Sequence, residues 1–273
     1  MIFLKKRIDV NGRGGEIEID IYGDTHFGSK SVDEKLLKRH IGETRETGRY
    51  WVHLGDVIDG IAPGERRFDS KNLSGWAWDA LKDRRLISAE WDYFEMMFSP
   101  IADKGLFVLD GDGKHNEYGD IDDCMTKTLN RMGIPGGSPA LYLALSCYRN
   151  TTSNVAIDLA FHHGWSSGRR SGGKINNIEL EFLNYPRAWG FFCGHGHTKT
   201  MMPPMVGLVP EGDDVVEIIR KGAMTGGYFR TYARNTVGYP EKRGYRPVVL
   251  GRITLVLRPF HPEAEKRIEI KNI

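Results

Sequence analysis

Residues 16–59, EIEIDIYGDTHFGSKSVDEKLLKRHIGETRETGRYWVHLGDVID, read in order as strand, polar loop, helix and strand. Residues 16–21 alternate apolar and polar, the period-two pattern of a strand. From Asp33 to about Thr47 the apolar positions recur at helical spacing, and Asp33 stands where a helix start takes a side-chain acceptor. Residues 50–54, YWVHL, make a short apolar strand. Outward from this unit the pattern continues. Residues 60–72 form a loop rich in Pro, Gly and Arg, 73–102 read as one or two helices, and 106–109 as another strand. Residues 140–148, 155–161, 189–193 and 248–257 read as strands, separated in part by a Gly/Ser/Arg loop at 164–173 and a helix over 174–184. Strand, loop and helix in alternation, joined by further strands, predict a layered α/β protein with a central β core. One domain is expected over residues 1–273, with 205–273 as its C-terminal β-rich part.

Of the 273 residues 40% are hydrophobic and 27% charged, and the formal net charge is +2. That balance argues against a generally basic nucleic-acid coat and leaves room for a local basic patch. Cys124, Cys147 and Cys193 contain no CxxC pair, which points to buried thiols rather than a disulfide framework or a cysteine zinc site. The opening MIFLKKRIDV is charged too soon for a secretory signal, and no apolar run approaches a membrane span. A soluble cytoplasmic protein with no membrane partner is expected.

The residues that carry chemistry fall where predicted strands end. The first strand runs into DTH, with Asp24 and His26, and the next into GDVID, with Asp56 and Asp59. A third runs into GDGKHNEY (111–118); later strands end in FHHGW, with His162 and His163, and in CGHGHT, with His195 and His197. Ligands of α/β sheets gather outside the carboxyl ends of strands, so these segments can converge on one site. Imidazole and carboxylate together suit Mn, Fe, Zn or Ni rather than Ca. Two ions roughly 3.5–4 Å apart share a ligand, and a carboxylate can bridge them.

This order of motifs resembles the calcineurin-like metallophosphoesterase superfamily: D-x-H, G-D-x-x-D, G-N-H-[D/E], H-G, then G-H-x-H, spanning about residues 20–198. The resemblance implies a β-sandwich flanked by helices and two divalent ions, with Mn favoured. It implies that Asp24, His26 and His197 hold one ion, that His163 and His195 hold the other, and that Asp56 bridges. Within the pair His162–His163, His163 is the ligand because the family histidine precedes Gly; His162 is a supporting or core residue. The sequence departs from the family at GDGKHNEY. His115 matches the family histidine that contacts the phosphate or protonates the leaving oxygen, with Asp59 as the carboxylate that orients it. A gapless match puts Lys114 at the family Asn position, where an ammonium cannot ligate a metal. Two extra residues put Asp112 there; Asn116 is a further candidate, and Lys114 can then face the phosphate. The implied function is two-metal hydrolysis of phosphate esters, with a lean towards phosphodiester, nucleic-acid or nucleotide substrates because of arginine-rich loops containing Arg66, Arg67, Arg169 and Arg170. The alternatives are a phosphomonoesterase acting on protein or small molecules, and a metal-binding scaffold with impaired catalysis.

One competing motif is GRRSGGKI (168–175), a near match to the phosphate-binding pattern GxxxxGK[ST] in which Gly168, Gly173 and Lys174 fit and Ile175 lacks the hydroxyl. Trp76, Trp78 and Trp91 read as helix core rather than a base-stacking platform. His53 reads as core, and His40 and His261 as surface or packing residues. Residues 222–247 look like an ordered loop region with a hand in substrate selection.

Overall fold

In the computed structural model, residues 11–14, 62, 67, 112–122, 166–169, 233–240, 242, 243 and 273 lie outside the described part of the chain. Residues 16–59 fold as their pattern predicts: β2 (Ile17–Tyr22), α1 (Glu34–Thr47) and β3 (Tyr50–His53). Asp33 caps α1 by accepting from the Leu36 N–H, and Gly48 closes the helix at φ 64°, donating to Arg45. Leu37, His40, Ile41 and Thr44 form its buried stripe, the i, i+3, i+4, i+7 spacing of a helix packed on a sheet. Burying Leu37 and Ile41 stabilises this packing by about 1.5–3 kcal/mol each.

The other elements are β1 (Ile2–Asp9), α2 (Gly75–Lys82), α3 (Leu86–Phe98), β4 (Gly105–Val108), α4 (Cys124–Met132), β5 (Ala140–Tyr148), β6 (Asn154–His162), α5 (Ser171–Asn184), β7 (Ala188–Cys193), β8 (Thr200–Met201), β9 (Met205–Glu211), β10 (Asp214–Met224), β11 (Ile253–Leu257) and β12 (Ile268–Asn272). The protein is thus mixed α/β, with two sheets and five helices among the described residues. The smaller sheet runs β12-β11-β2-β3-β4, and the larger β1-β5-β6-β7-β10-β8, with β9 paired to β10. β2, β3 and β4 are mutually parallel, and so are β6, β7 and β10. One apolar cluster draws Ile19, Ile21, Val52 and Leu255 from the smaller sheet together with Leu143, Leu159 and Phe192 from the larger. A second joins the smaller sheet to α1, α3 and α4, and a third joins the larger sheet to α5. Among the described residues no helix is long and apolar enough to cross a membrane.

β2 is buried on both faces, because Asp20 and Tyr22 are as enclosed as Ile19 and Ile21. Asp20 is compensated by Thr44 Oγ1 (2.6 Å), Thr254 Oγ1 (2.5 Å) and Arg252 Nε (3.1 Å), the last also fully buried.

Several readings need correction. The strand predicted over 248–257 is only β11, since Gly251 at φ 100° turns the chain just before it. The helix predicted from 174 begins at Ser171 and takes Gly172 and Gly173 into its first turn. Residues 222–224 are not loop but the end of β10. Trp91 is core and Trp76 stacks on Tyr93 at 4.3 Å, but Trp78 is 41% exposed, beneath the Lys82 ammonium. His40 and His53 are buried.

Candidate metal centre

Six of the sequence-selected residues meet at one end of the two sheets. Tyr22, His53 and Val108 stand in register at the carboxyl ends of β2, β3 and β4, and His162, Cys193 and Met224 at those of β6, β7 and β10. The loops that follow are bonded to one another. Asp24 N–H donates to Gly55 O and His26 N–H to Asp56 O, both at 3.0 Å; Gly194 N–H donates to His163 O at 2.7 Å. Bonds also cross between the sheets: Tyr228 N–H to Asp24 O at 3.1 Å, Thr225 Oγ1 to Ile21 O at 2.9 Å, and the His195 N–H to the Asp24 carboxylate at 3.0–3.1 Å.

The backbone here is unusual. Six described non-glycine residues have positive φ, and five of them are Asp24 (50°), His26 (42°), Asp56 (49°), His195 (59°) and His197 (48°). The left-handed region is disfavoured for residues with a Cβ, and such outliers gather at functional sites. An extended chain would place residues i and i+2 on one face. The left-handed turns instead send His195 and His197 to different groups, while Asp24 and His26 stay together.

The two groups are Asp24, His26 and His197, and Asp56, His163 and His195; within each, one donor atom per residue lies within 4.8 Å of the others. His26 Nε2 is 3.4 Å from His197 Nε2, and His163 Nε2 is 3.0 Å from His195 Nδ1. Asp56 faces both groups: its Oδ2 is 3.4 Å from His163 Nε2, 3.8 Å from His26 Nε2 and 3.9 Å from His195 Nδ1. Facing ring nitrogens need a proton or a cation between them, and two nitrogens on one tetrahedral ion lie about 3.4 Å apart at the usual bond length of about 2.1 Å. His163 Nδ1–H donates to Leu54 O at 2.7 Å, which leaves Nε2 as the lone-pair nitrogen when the ring is neutral. Burial, reinforced by Asp56, pushes the Asp24 carboxyl well above its usual range. Burial alone would lower the His163 pKa, yet the carboxylates of Asp56 and Asp24 outweigh it and raise it. Buried carboxylates and imidazoles that crowd together in this way call for positive charge, and the residues fit divalent ions.

Space for the donors comes from glycines that the sequence reading did not single out. A Cβ on Gly111 would sit 2.1 Å from Asp56 Oδ1, and one on Gly227 would sit 2.8 Å from Asp24 Cβ and 3.0 Å from His197 Nδ1. His162 stacks on Trp165 at 4.4 Å and accepts from the Gly164 N–H, a supporting place beside His163. Phe229 stands edge-on to His26 and His197, with centroids at 5.4 and 6.2 Å, and forms a partly exposed wall. Asp59 Oδ1 is 3.9 Å from His26 Nδ1, so it sits behind a member of the first group. Asp112, Lys114, His115, Asn116 and Arg169 lie outside the described residues. Arg170 is exposed just before α5, and Arg66 is exposed in its loop. Lys174, the lysine of the phosphate-loop near match, is 7% exposed and donates to Gly196 O and Thr198 Oγ1. Its ammonium is therefore engaged with the protein rather than free over a phosphate cradle.

Glu90 on α3 is a further buried acid that no local motif marks. Its Oε2 accepts from the Gly60 N–H at 3.0 Å, and its Oε1 has no hydrogen-bond partner among the described residues. Burial, then the charge of Asp59, pushes its pKa well above 4.5. The fold therefore holds a proton that the unfolded chain releases above that value, so the stability from this group is full below it and is lost as pH rises. Glu90→Gln is expected to gain on the wild type by up to about 1.4 kcal/mol per pH unit in that range. Urea unfolding of both proteins at about pH 5 and about pH 8 checks this. An equal gap at the two values would mean that Glu90 is not held protonated.

The chain matches no model of a protein family and no curated protein. Solved structures similar to it include GAP50, the anchor in the inner membrane complex of Plasmodium, with 8% identity over 93% of this chain and 83% of that one at a TM-score of 0.41. A hypothetical protein from Pyrococcus horikoshii shows 10% identity over 94% and 88% at a TM-score of 0.37. Another, from Thermus thermophilus, shows 11% identity over 93% and 98% at 0.38. Likenesses this slight assign no activity.

Proposed function

We propose that this chain is a two-metal phosphoesterase of the calcineurin-like kind, its sheets and outer helices layered as a sandwich in that family's manner. The observation that carries the reading is the position of Asp56, whose Oδ2 lies 3.4–3.9 Å from imidazole nitrogens of both donor groups. Asp24, His26 and His197 would hold one divalent ion and His163 and His195 the other, with Asp56 placed to serve both. The resemblance favours Mn, and the mixed imidazole and carboxylate set admits Mn, Fe, Zn or Ni. Ions bound there supply Lewis acidity towards phosphoryl oxygens and lower the pKa of water towards neutrality.

The chain's own groups do the rest. The Leu54 carbonyl fixes the His163 tautomer, and the His195 N–H holds the Asp24 carboxylate. Phe229 keeps one side of the first group apolar and limits water there. In this reading Asp112 supplies the remaining oxygen donor, and His115 protonates the leaving oxygen. Asp59 acts through His26, the residue it lies beside. Lys114, Arg169 and Arg170 favour an anionic diester such as a nucleotide or nucleic acid. The buried free thiols Cys147 and Cys193 suit a reducing cytoplasm.

The test is metal-free protein assayed with and without Mn²⁺ on bis-(4-nitrophenyl) phosphate and 4-nitrophenyl phosphate. Mn²⁺-dependent cleavage of the diester is expected. Cleavage of the monoester alone would redirect the substrate class, and no cleavage by metal-loaded protein would reduce the chain to a metal-binding scaffold.

A further inference from the structure

Lys174 is a buried cation that the reading above does not use. It lies in the first turn of α5, and its Nζ donates to Gly196 O at 2.9 Å and to Thr198 Oγ1 at 2.8 Å. Thr198 Oγ1 in turn donates to Gly196 O at 2.9 Å. A Cβ on Gly196 would meet Met224 Sδ at 2.2 Å and Lys174 Nζ at 3.2 Å, so the ammonium packs directly against the backbone between the two histidines. Both histidines are left-handed there, and they leave the turn in different directions: His195 Nδ1 reaches His163 Nε2, and His197 Nε2 reaches His26 Nε2. A turn with two disfavoured residues in three persists only when its surroundings hold it. Gly196 O and Thr198 are held from behind by one side chain on another element.

We propose that Lys174 is a positioning residue for the metal centre: its ammonium clamps Gly196 O and Thr198 Oγ1 and so divides His195 and His197 between the two ions. A lysine suits this place, since it brings several donors and a point charge on a stem that can be buried. The proposal rests on the six-residue cluster being a metal site, and the experiment separates the two ideas.

Metal-free protein is titrated with Mn²⁺ in a calorimeter, below the unfolding temperature of each variant. Wild-type protein is expected to take up two ions; no uptake by wild type overturns the metal centre and this proposal together. Lys174→Met is expected to lower Mn²⁺ affinity about ten- to a hundred-fold, the usual effect of removing a group that orients metal ligands. Lys174→Arg, which keeps a buried cation with several N–H donors, is expected to recover most of that loss. Wild-type affinity in Lys174→Met overturns the positioning role and leaves the metal site standing. So does equal loss in the methionine and arginine variants, which would make Lys174 a packing residue. Lys174→Gln, uncharged and too short to reach both acceptors, is read by the same criterion should the methionine variant not fold.

Discussion

Asp56→Asn is expected to abolish Mn²⁺-dependent phosphodiester hydrolysis. The substitution keeps size and shape and removes one negative charge. It also turns one carboxylate oxygen into an amide, so that an N–H donor or a weaker oxygen faces the nitrogens of His26, His163 and His195, which now lie 3.4–3.9 Å from Oδ2. Loss of a residue that merely orients a ligand costs about ten- to a hundred-fold in affinity or activity, and loss of a donor facing both groups should exceed that. Initial rates with bis-(4-nitrophenyl) phosphate at saturating Mn²⁺ give the answer, alongside circular dichroism to confirm the fold. Appreciable metal-dependent turnover in the variant would remove Asp56 from its spanning role.

The second large effect lies away from the donors, in the layer between the smaller sheet and α1. Arg252→Met is expected to destabilise the protein by about 3–5 kcal/mol, the usual result of stripping one partner from a buried ion pair. Asp20 and Arg252 are both fully enclosed, with Nε to Oδ2 at 3.1 Å, and Arg252 also reaches Glu43 at 3.0 Å. Without the guanidinium, Asp20 keeps two hydroxyl donors, from Thr44 and Thr254, and a distant Arg49 at 3.9 Å. Urea unfolding monitored by fluorescence measures the loss. Adding Asp20→Asn should recover much of it, because the uncompensated charge goes too. A loss below about 1 kcal/mol in the single variant would show that water or a neighbour replaces Arg252.

The parts of the fold that the sequence announced are those with local marks. Asp33 and Gly48 bracket α1, and β5 alternates along its whole length, ALYLALSCY, as it should with one face in the core. What escaped was set by tertiary context. β1 carries Lys5, Lys6 and Arg7 and forms only because β5 offers it a parallel edge. α4 is short and mostly polar, with Thr128 and Leu129 buried. Trp78 looks like core by type, but its place on a short helix turns it outwards. The site divides the same way. Asp24, His26, Asp56, His195 and His197 stand in short motifs; the His163 ring joins the second donor group, and the His162 ring stacks on Trp165. Phe229 and the Leu54 carbonyl reach the site across the chain, and nothing in their immediate sequence marks them. Lys174 stands with Gly168 and Gly173 in the near match to a phosphate loop, yet Gly173 lies in a helix, and the lysine donates to the histidine turn.

The five left-handed donor residues carry a thermodynamic implication for the whole chain. Each spends about 1 kcal/mol or more of conformational energy, although Asp and His bear this better than most residues. Five of them together amount to roughly 5 kcal/mol, on the scale of a domain's entire net stability. A sequence selected for folding alone would place glycine or asparagine there. This protein instead keeps five strained residues in the proposed donor set; in the proposed reading, ions bound to the folded chain alone would make it harder to unfold.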